Sequence, residues 1–175
     1  MDTISGIPSH PLFVHIPAIL LPLAAVGVIV MVVKPAWKER YQWATLAVGF
    51  VGMLGAILAA SSGESLEEAN EEAMAGMSGP RPWESHAEAG EMARNVSILF
   101  FVLLAAFVLV PWFLRRRAAK GAAGEAPASA GPTWLAPVLA GLVVIGAAAS
   151  TYTVIDAGHS GAKAVWSEEG DGDGD

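Results

Sequence analysis

Four long runs without a charged residue dominate this sequence and constrain its fold more than any other feature. In a chain of 175 residues they cover residues 12–33, 41–63, 95–114 and 133–155, with lengths of 22, 23, 20 and 23 residues. A helix needs about 20 apolar residues to cross roughly 30 Å of hydrocarbon, whereas a membrane β-strand would show alternation over about 10 residues. The sequence therefore predicts an all-α fold, a four-helix transmembrane bundle, and excludes a soluble globular domain.

We expect a single four-span membrane domain, residues 1–170, followed by an acidic disordered tail, residues 171–175. The predicted spans are about 12–33, 43–61, 94–114 and 133–155. The predicted outer loop, residues 62–93, begins with an acidic helix candidate and ends in an extension that leads into the third span. Cysteine is absent, which excludes thiolate metal sites, iron–sulfur clusters and covalently attached haem.

The charges are divided sharply between the connections. The segments after the first and third runs hold seven bases and two acids, a net charge of +5, while the rest of the chain holds three bases and 15 acids, a net charge of −12. Short loops rich in Lys and Arg stay in the cytoplasm. This pattern predicts a multi-pass protein of the bacterial inner membrane with both termini on the outer (periplasmic or extracellular) side. The lipid bilayer is the expected partner, and the acidic outer face argues against nucleic acid.

All four histidines fall on the predicted outer side. His10 begins the first span, His15 lies inside it, His86 precedes the third span and His159 follows the fourth. An ionisable residue within a span is a functional hypothesis by default. Imidazole ligates haem iron, zinc and copper, and helical bundles place such ligands on facing helices. The histidines are therefore the candidate ligands of a metal or cofactor.

The favoured interpretation is a b-type haem protein that transfers electrons near the outer membrane face. One haem would use His15 and His86, and His10 and His159 would hold a second haem or support the first. Two further candidate cofactor-binding residues are Arg94 and Lys163, whose charges suit haem propionates. Such a protein would be a subunit or partner of a larger membrane redox complex rather than an independent enzyme.

The segment HPLFVHIPAIL, residues 10–20, resembles the HP..VH.P opening of a widespread family of four-span bacterial membrane proteins catalogued as a domain of unknown function. Gly6 and Pro8 before it, a histidine ahead of the third span and the glycine-rich stretch 156–166 are similar too. The family pattern often ends in a His-Gly pair where this chain has Glu169 and Gly170. In larger chains this domain stands beside cytochrome c modules, so the resemblance implies redox work and a c-type cytochrome as partner.

Two other functions remain open from the sequence. The same histidines, supplemented by Glu84 or Glu88, could form a Zn or Cu site. These two glutamates and His86 are spaced by two residues, however, and such residues do not share one face of a helix. Alternatively, the chain could be a cofactor-free accessory subunit of a membrane complex, with close helix contacts through the small residues of the second span.

Overall fold

A computed structural model describes residues 3–4, 7–73, 83–121 and 132–166. Two short strands, β1 (Thr3–Ile4) and β2 (Ile7–Pro8), pair in antiparallel register. The helices of the described residues are α1 (Ser9–Val33), the single 3-10 turn η1 (Pro35–Trp37), α2 (Lys38–Ala73), α3 (Glu84–Gly121) and α4 (Leu135–Trp166). The expected disordered tail, residues 171–175, lies outside the described residues.

The structure confirms four helical segments that are long and apolar enough to cross a membrane. These candidate spans are His10–Val33, Pro35–Ser65, Glu84–Ala119 and Leu135–Ala164. They form an antiparallel bundle in which α1 packs on α2, α3 on α4, α2 on α3 and α1 on α4. We call the end where α1 and α3 begin the histidine end, and the end where α2 and α4 begin the basic end.

The helices extend beyond the spans predicted from sequence. The second span was predicted to end near residue 61, but α2 continues to Ala73; the third was predicted to begin near residue 94, but α3 begins at Glu84. Glu, Ala and Met are strong helix formers, and backbone hydrogen bonding does not stop where the hydrocarbon ends. The described part of the predicted outer loop is therefore mostly helical and continuous with the two spans.

Apolar side chains occupy both the centre and the outside of the bundle. The fully buried side chains include Leu21, Met31, Phe100, Leu104 and Val143. Other large apolar side chains are exposed, among them Ile19, Val102, Leu142 and Ile145. A helix that is apolar on all sides is typical of a membrane span, since lipid covers the outer face and neighbouring helices cover the inner one.

A lysine from α2 compensates for a proline in α3 near the basic end. Pro111 has no N–H, so the carbonyl of Phe107, four residues earlier, loses its helical donor. The Lys38 ammonium donates to this carbonyl at 2.9 Å and lies 3.5 Å from the centroid of the Phe107 ring. A buried carbonyl without a donor is costly, so this contact ties the start of α2 to the bend in α3.

Candidate functional site

His10 is held against α2 by its Nδ1 atom. This nitrogen lies 2.9 Å from the carbonyl oxygen of Ala59 and 3.2 Å from the hydroxyl of Ser62. The Ser62 hydroxyl itself donates to the Ala59 carbonyl. Because a carbonyl only accepts, the His10 Nδ1 must carry a proton. In the neutral ring the other nitrogen, Nε2, then carries a lone pair that can bind a metal.

His86 is held against α4 in the same way. Its Nδ1 lies 3.2 Å from the Ser160 hydroxyl, which donates its only proton to the carbonyl of Ala157 at 2.9 Å. The hydroxyl can therefore only accept from the imidazole, and Nδ1 must again be the protonated nitrogen. His86 thus also presents an Nε2 lone pair in its neutral form.

The two anchoring segments share a short sequence pattern. Residues 59–63 read AASSG and residues 157–161 read AGHSG, so both have alanine, serine three residues later and glycine directly after it. Each segment faces one histidine of the preceding helix. The chain therefore builds the site from two equivalent helical hairpins, α1–α2 and α3–α4.

The two imidazoles meet at the histidine end. The ring centroids of His10 and His86 are 5.8 Å apart, and the ring planes are nearly perpendicular at 82°. Both residues are half-buried. Two rings that bind one ion through nitrogen, at metal–nitrogen distances of about 2.0–2.1 Å, have centroids roughly 4.5 to 6.5 Å apart, with the largest separation when they bind on opposite sides of the ion. The observed separation is therefore close to that of a bis-imidazole ligand pair.

His15 and His159 have different surroundings. His15 is exposed, and its Nδ1 donates to the carbonyl of Pro11 at 2.6 Å, within its own helix. His159 is exposed on α4. In the part of the chain that the structure describes, the His86 ring contacts the His10 ring. The sequence had instead predicted His15 as the partner of His86. Both glutamates of the alternative metal site, Glu84 and Glu88, are exposed.

The two bases considered as propionate partners lie near the histidine end. Arg94 of α3 forms an ion pair with Glu64 of α2, with Nη1 2.7 Å from Oε1 and side-chain exposures of 25% and 50%. This ion pair joins the two hairpins. Lys163 is exposed in the last turns of α4. Arg94 therefore already holds one carboxylate, through one of its five N–H groups.

The indole N–H of Trp83, three residues before His86, has an unusual environment. Its indole Nε1 is buried and has no hydrogen-bond partner among the described residues. Trp83 directly precedes α3, and its carbonyl accepts from the N–H of Ala87 at 2.9 Å. A buried N–H without an acceptor is uncommon.

The two glycines of the repeated pattern allow the rings to lie directly on the helices. A Cβ added at Gly161 would lie 2.8 Å from Cε1 of His86, and one at Gly63 would lie 3.1 Å from Cε1 of His10. Real Cβ atoms essentially never approach to 2.8 Å. The glycine after each serine therefore fixes how closely the imidazole can approach its anchoring helix.

Gly161→Ala is expected to displace the His86 ring and to destabilise the protein by about 1–3 kcal/mol through overpacking. The matched control is Gly158→Ala, three residues earlier in α4, where an added Cβ meets nothing within 4 Å. NMR of the protein labelled with ¹³C-histidine in detergent should show a shifted Cε1–H signal for His86 in the first variant only. Equal spectra for the two variants would show that Gly161 does not position the ring.

The fold and the site define a class: a four-helix membrane protein with two hairpins that each hold one histidine at a common end. The chain belongs to the predicted membrane protein family DUF2231, whose family model matches residues 6–171. This match confirms the resemblance seen in the sequence to a four-span family of unknown function. No curated protein and no solved structure matches the chain.

Proposed function

We propose that the protein binds a b-type haem at the histidine end and transfers electrons there, with His10 and His86 as the residues that would hold the iron. The observation that carries this proposal is the pair of imidazoles with their Nδ1 atoms held and their centroids 5.8 Å apart. The two imidazoles would hold the iron of the haem. His15 was the first choice from sequence, and His10 replaces it in this proposal.

The described residues fit such a group by their chemistry. Both rings offer an Nε2 lone pair, and the buried Trp83 N–H could donate to a propionate oxygen. Next to His86 on the same side of α3, an added Cβ at Gly90 would meet nothing within 4 Å, so the space there is open. When bound, the haem iron would supply reversible one-electron transfer.

The protein's own contribution is to position the two rings. The hydrogen bonds of Ser62 and Ser160 to the two histidines fix the tautomer and orientation of each imidazole. A ligand whose other nitrogen donates to a backbone or hydroxyl oxygen is also a more basic ligand. The charge of Arg94 near the site is balanced by Glu64, so a propionate would share the guanidinium with that carboxylate.

We further propose the orientation and the partner that this role requires. The positive-inside pattern puts the histidine end on the outer side of the bacterial inner membrane. Electrons would then be exchanged with a c-type cytochrome or with a larger membrane redox complex on that side. The excess of acidic residues on that side would favour a partner with a basic surface, because complementary charges accelerate the association of two proteins.

An optical spectrum of the full chain tests this proposal. We expect the protein, purified in detergent from a host supplied with haem precursor, to show a Soret band that shifts on reduction with dithionite. A colourless protein that elemental analysis finds loaded with zinc or copper would instead support the second candidate. That candidate rests on the same ring separation, which suits two imidazoles on one ion, although the described residues bring no third His, Asp or Glu to this pair. A metal-free, colourless protein that co-purifies with larger subunits would support the accessory role.

A further inference from the structure

A cavity at the basic end lies at the opposite end of the bundle from the histidines. Its volume is about 870 Å³, and residues from α1, η1, α2, α3 and α4 line it. Ligand pockets in proteins usually measure about 300–1,000 Å³. Neither the proposed haem site nor the family description accounts for this space.

Two cations, Lys38 and Arg115, and one carboxylate, Glu39, line the wall of this cavity. Lys38 is half-buried and donates to the Phe107 carbonyl, and Arg115 donates to Glu39 at 2.9 Å through Nη1. Each of these hydrogen bonds uses one N–H, whereas an ammonium has three and a guanidinium has five. The hydrogen bond to the Phe107 carbonyl, which Pro111 leaves without a helical donor, also holds the Lys38 ammonium at the wall of the cavity. The two side chains can together bind an anionic oxygen group.

The remaining walls are mostly apolar and aromatic. The apolar lining includes Met31, Val32, Val108, Pro137 and Ala140. Trp43 and Trp112, also in the lining, pack edge to face with centroids 5.8 Å apart. Tryptophan is enriched at the membrane–water interface. The cavity therefore combines a cationic group at headgroup level with an apolar interior, and this combination suits an amphiphilic ligand with an anionic headgroup and an apolar tail.

We propose that this cavity binds an anionic phospholipid, with the phosphate on Lys38 and Arg115 and an acyl chain along the apolar lining. Basic pockets between transmembrane helices are suited to anionic lipid headgroups. The occupant would bridge α2 and α3, the helices that carry the two cations. This site is independent of the haem proposal, because it uses none of the same residues.

The test is native mass spectrometry of the full chain in a neutral detergent with equimolar dioleoyl-phosphatidylglycerol and dioleoyl-phosphatidylcholine. We expect a preference for phosphatidylglycerol of at least about fivefold, the effect of one cation near an anionic headgroup. Lys38→Gln combined with Arg115→Gln should remove the preference, whereas Arg117→Gln, which changes an exposed arginine outside the lining, should keep it.

A second variant covers the case in which the double variant does not fold. Ala136→Trp places a large ring at an exposed position of the lining and leaves both cations intact, so it should block the lipid without changing the charge. Equal binding of the two lipids, or a preference that survives both the double variant and Ala136→Trp, would overturn the proposal. So would inorganic phosphate that displaces phosphatidylglycerol at equal concentration, since the ligand would then be free phosphate.

Discussion

His10→Gln and His86→Gln are each expected to abolish the spectrum of a haem with two histidine ligands, and the double variant should lower haem content at least about tenfold. Glutamine keeps a polar side chain of moderate size, so the hydrogen bonds to α2 and α4 can be partly retained. Each substitution removes the imidazole Nε2 atom that would bind the haem iron. Reduced-minus-oxidised spectra and haem content per protein measure the effect.

The two other histidines are the matched controls. His15→Gln and His159→Gln change exposed side chains and should leave the spectrum intact. This comparison distinguishes the pair His10 and His86, which the structure brings together, from the pair His15 and His86, which was expected from the sequence. If His15→Gln removes the spectrum and His10→Gln does not, the ligand pair is His15 and His86, and the His10 assignment is wrong.

Gly55→Leu is expected to destabilise the bundle by about 3 kcal/mol or more, or to prevent folding. A Cβ at this position would lie 2.7 Å from Cβ of Ile16 and 3.0 Å from Cδ of Pro17. Close helix contacts in membranes depend on small residues, and overpacking a tight contact forces helices apart. Thermal unfolding in detergent, followed by circular dichroism, should show a strongly lowered midpoint.

Gly141→Leu is the control for that substitution. Gly141 is an exposed glycine in the interior of α4, and an added Cβ there meets nothing within 4 Å. Leucine should therefore be tolerated and should gain helix propensity over glycine. Equal unfolding midpoints for the two variants would contradict the tight α1–α2 contact at Gly55.

The length and apolarity of the four runs were enough to predict the fold class, because the hydrocarbon thickness sets the helix length. The segment after Ser61 was harder to assign. Its glutamates indicate a solvated surface but do not end a helix, and α2 runs on to Ala73. Composition thus locates the membrane spans better than it locates the helix ends.

The choice between His10 and His15 could not be made from the sequence. These residues are five positions apart, which turns the helix by roughly 140° beyond one full turn, so they face different directions. Depth along the helix favoured His15, but the rotation of α1 in the bundle decides which histidine meets α3. Rotation depends on the packing of all four helices, and a helix that is apolar on nearly every side carries little information about it.

The repeated anchoring pattern was missed for a related reason. Segments 59–63 and 157–161 share only three residue types over five positions, all of them common in this chain. The pattern became evident only when the hydrogen bonds to the two histidines were known. A search for alanine, serine three residues later and glycine directly after it would have returned both segments, and also residues 75–79.

Because each hairpin supplies one imidazole, neither hairpin contains the site alone. A group bound by both rings would link the α1–α2 and α3–α4 pairs, so its binding free energy would add to the free energy that holds the hairpins together. Cofactor loading and assembly of the bundle would then be one coupled equilibrium. Under this coupling, cofactor supply in the cell would govern how much of the protein persists in the membrane.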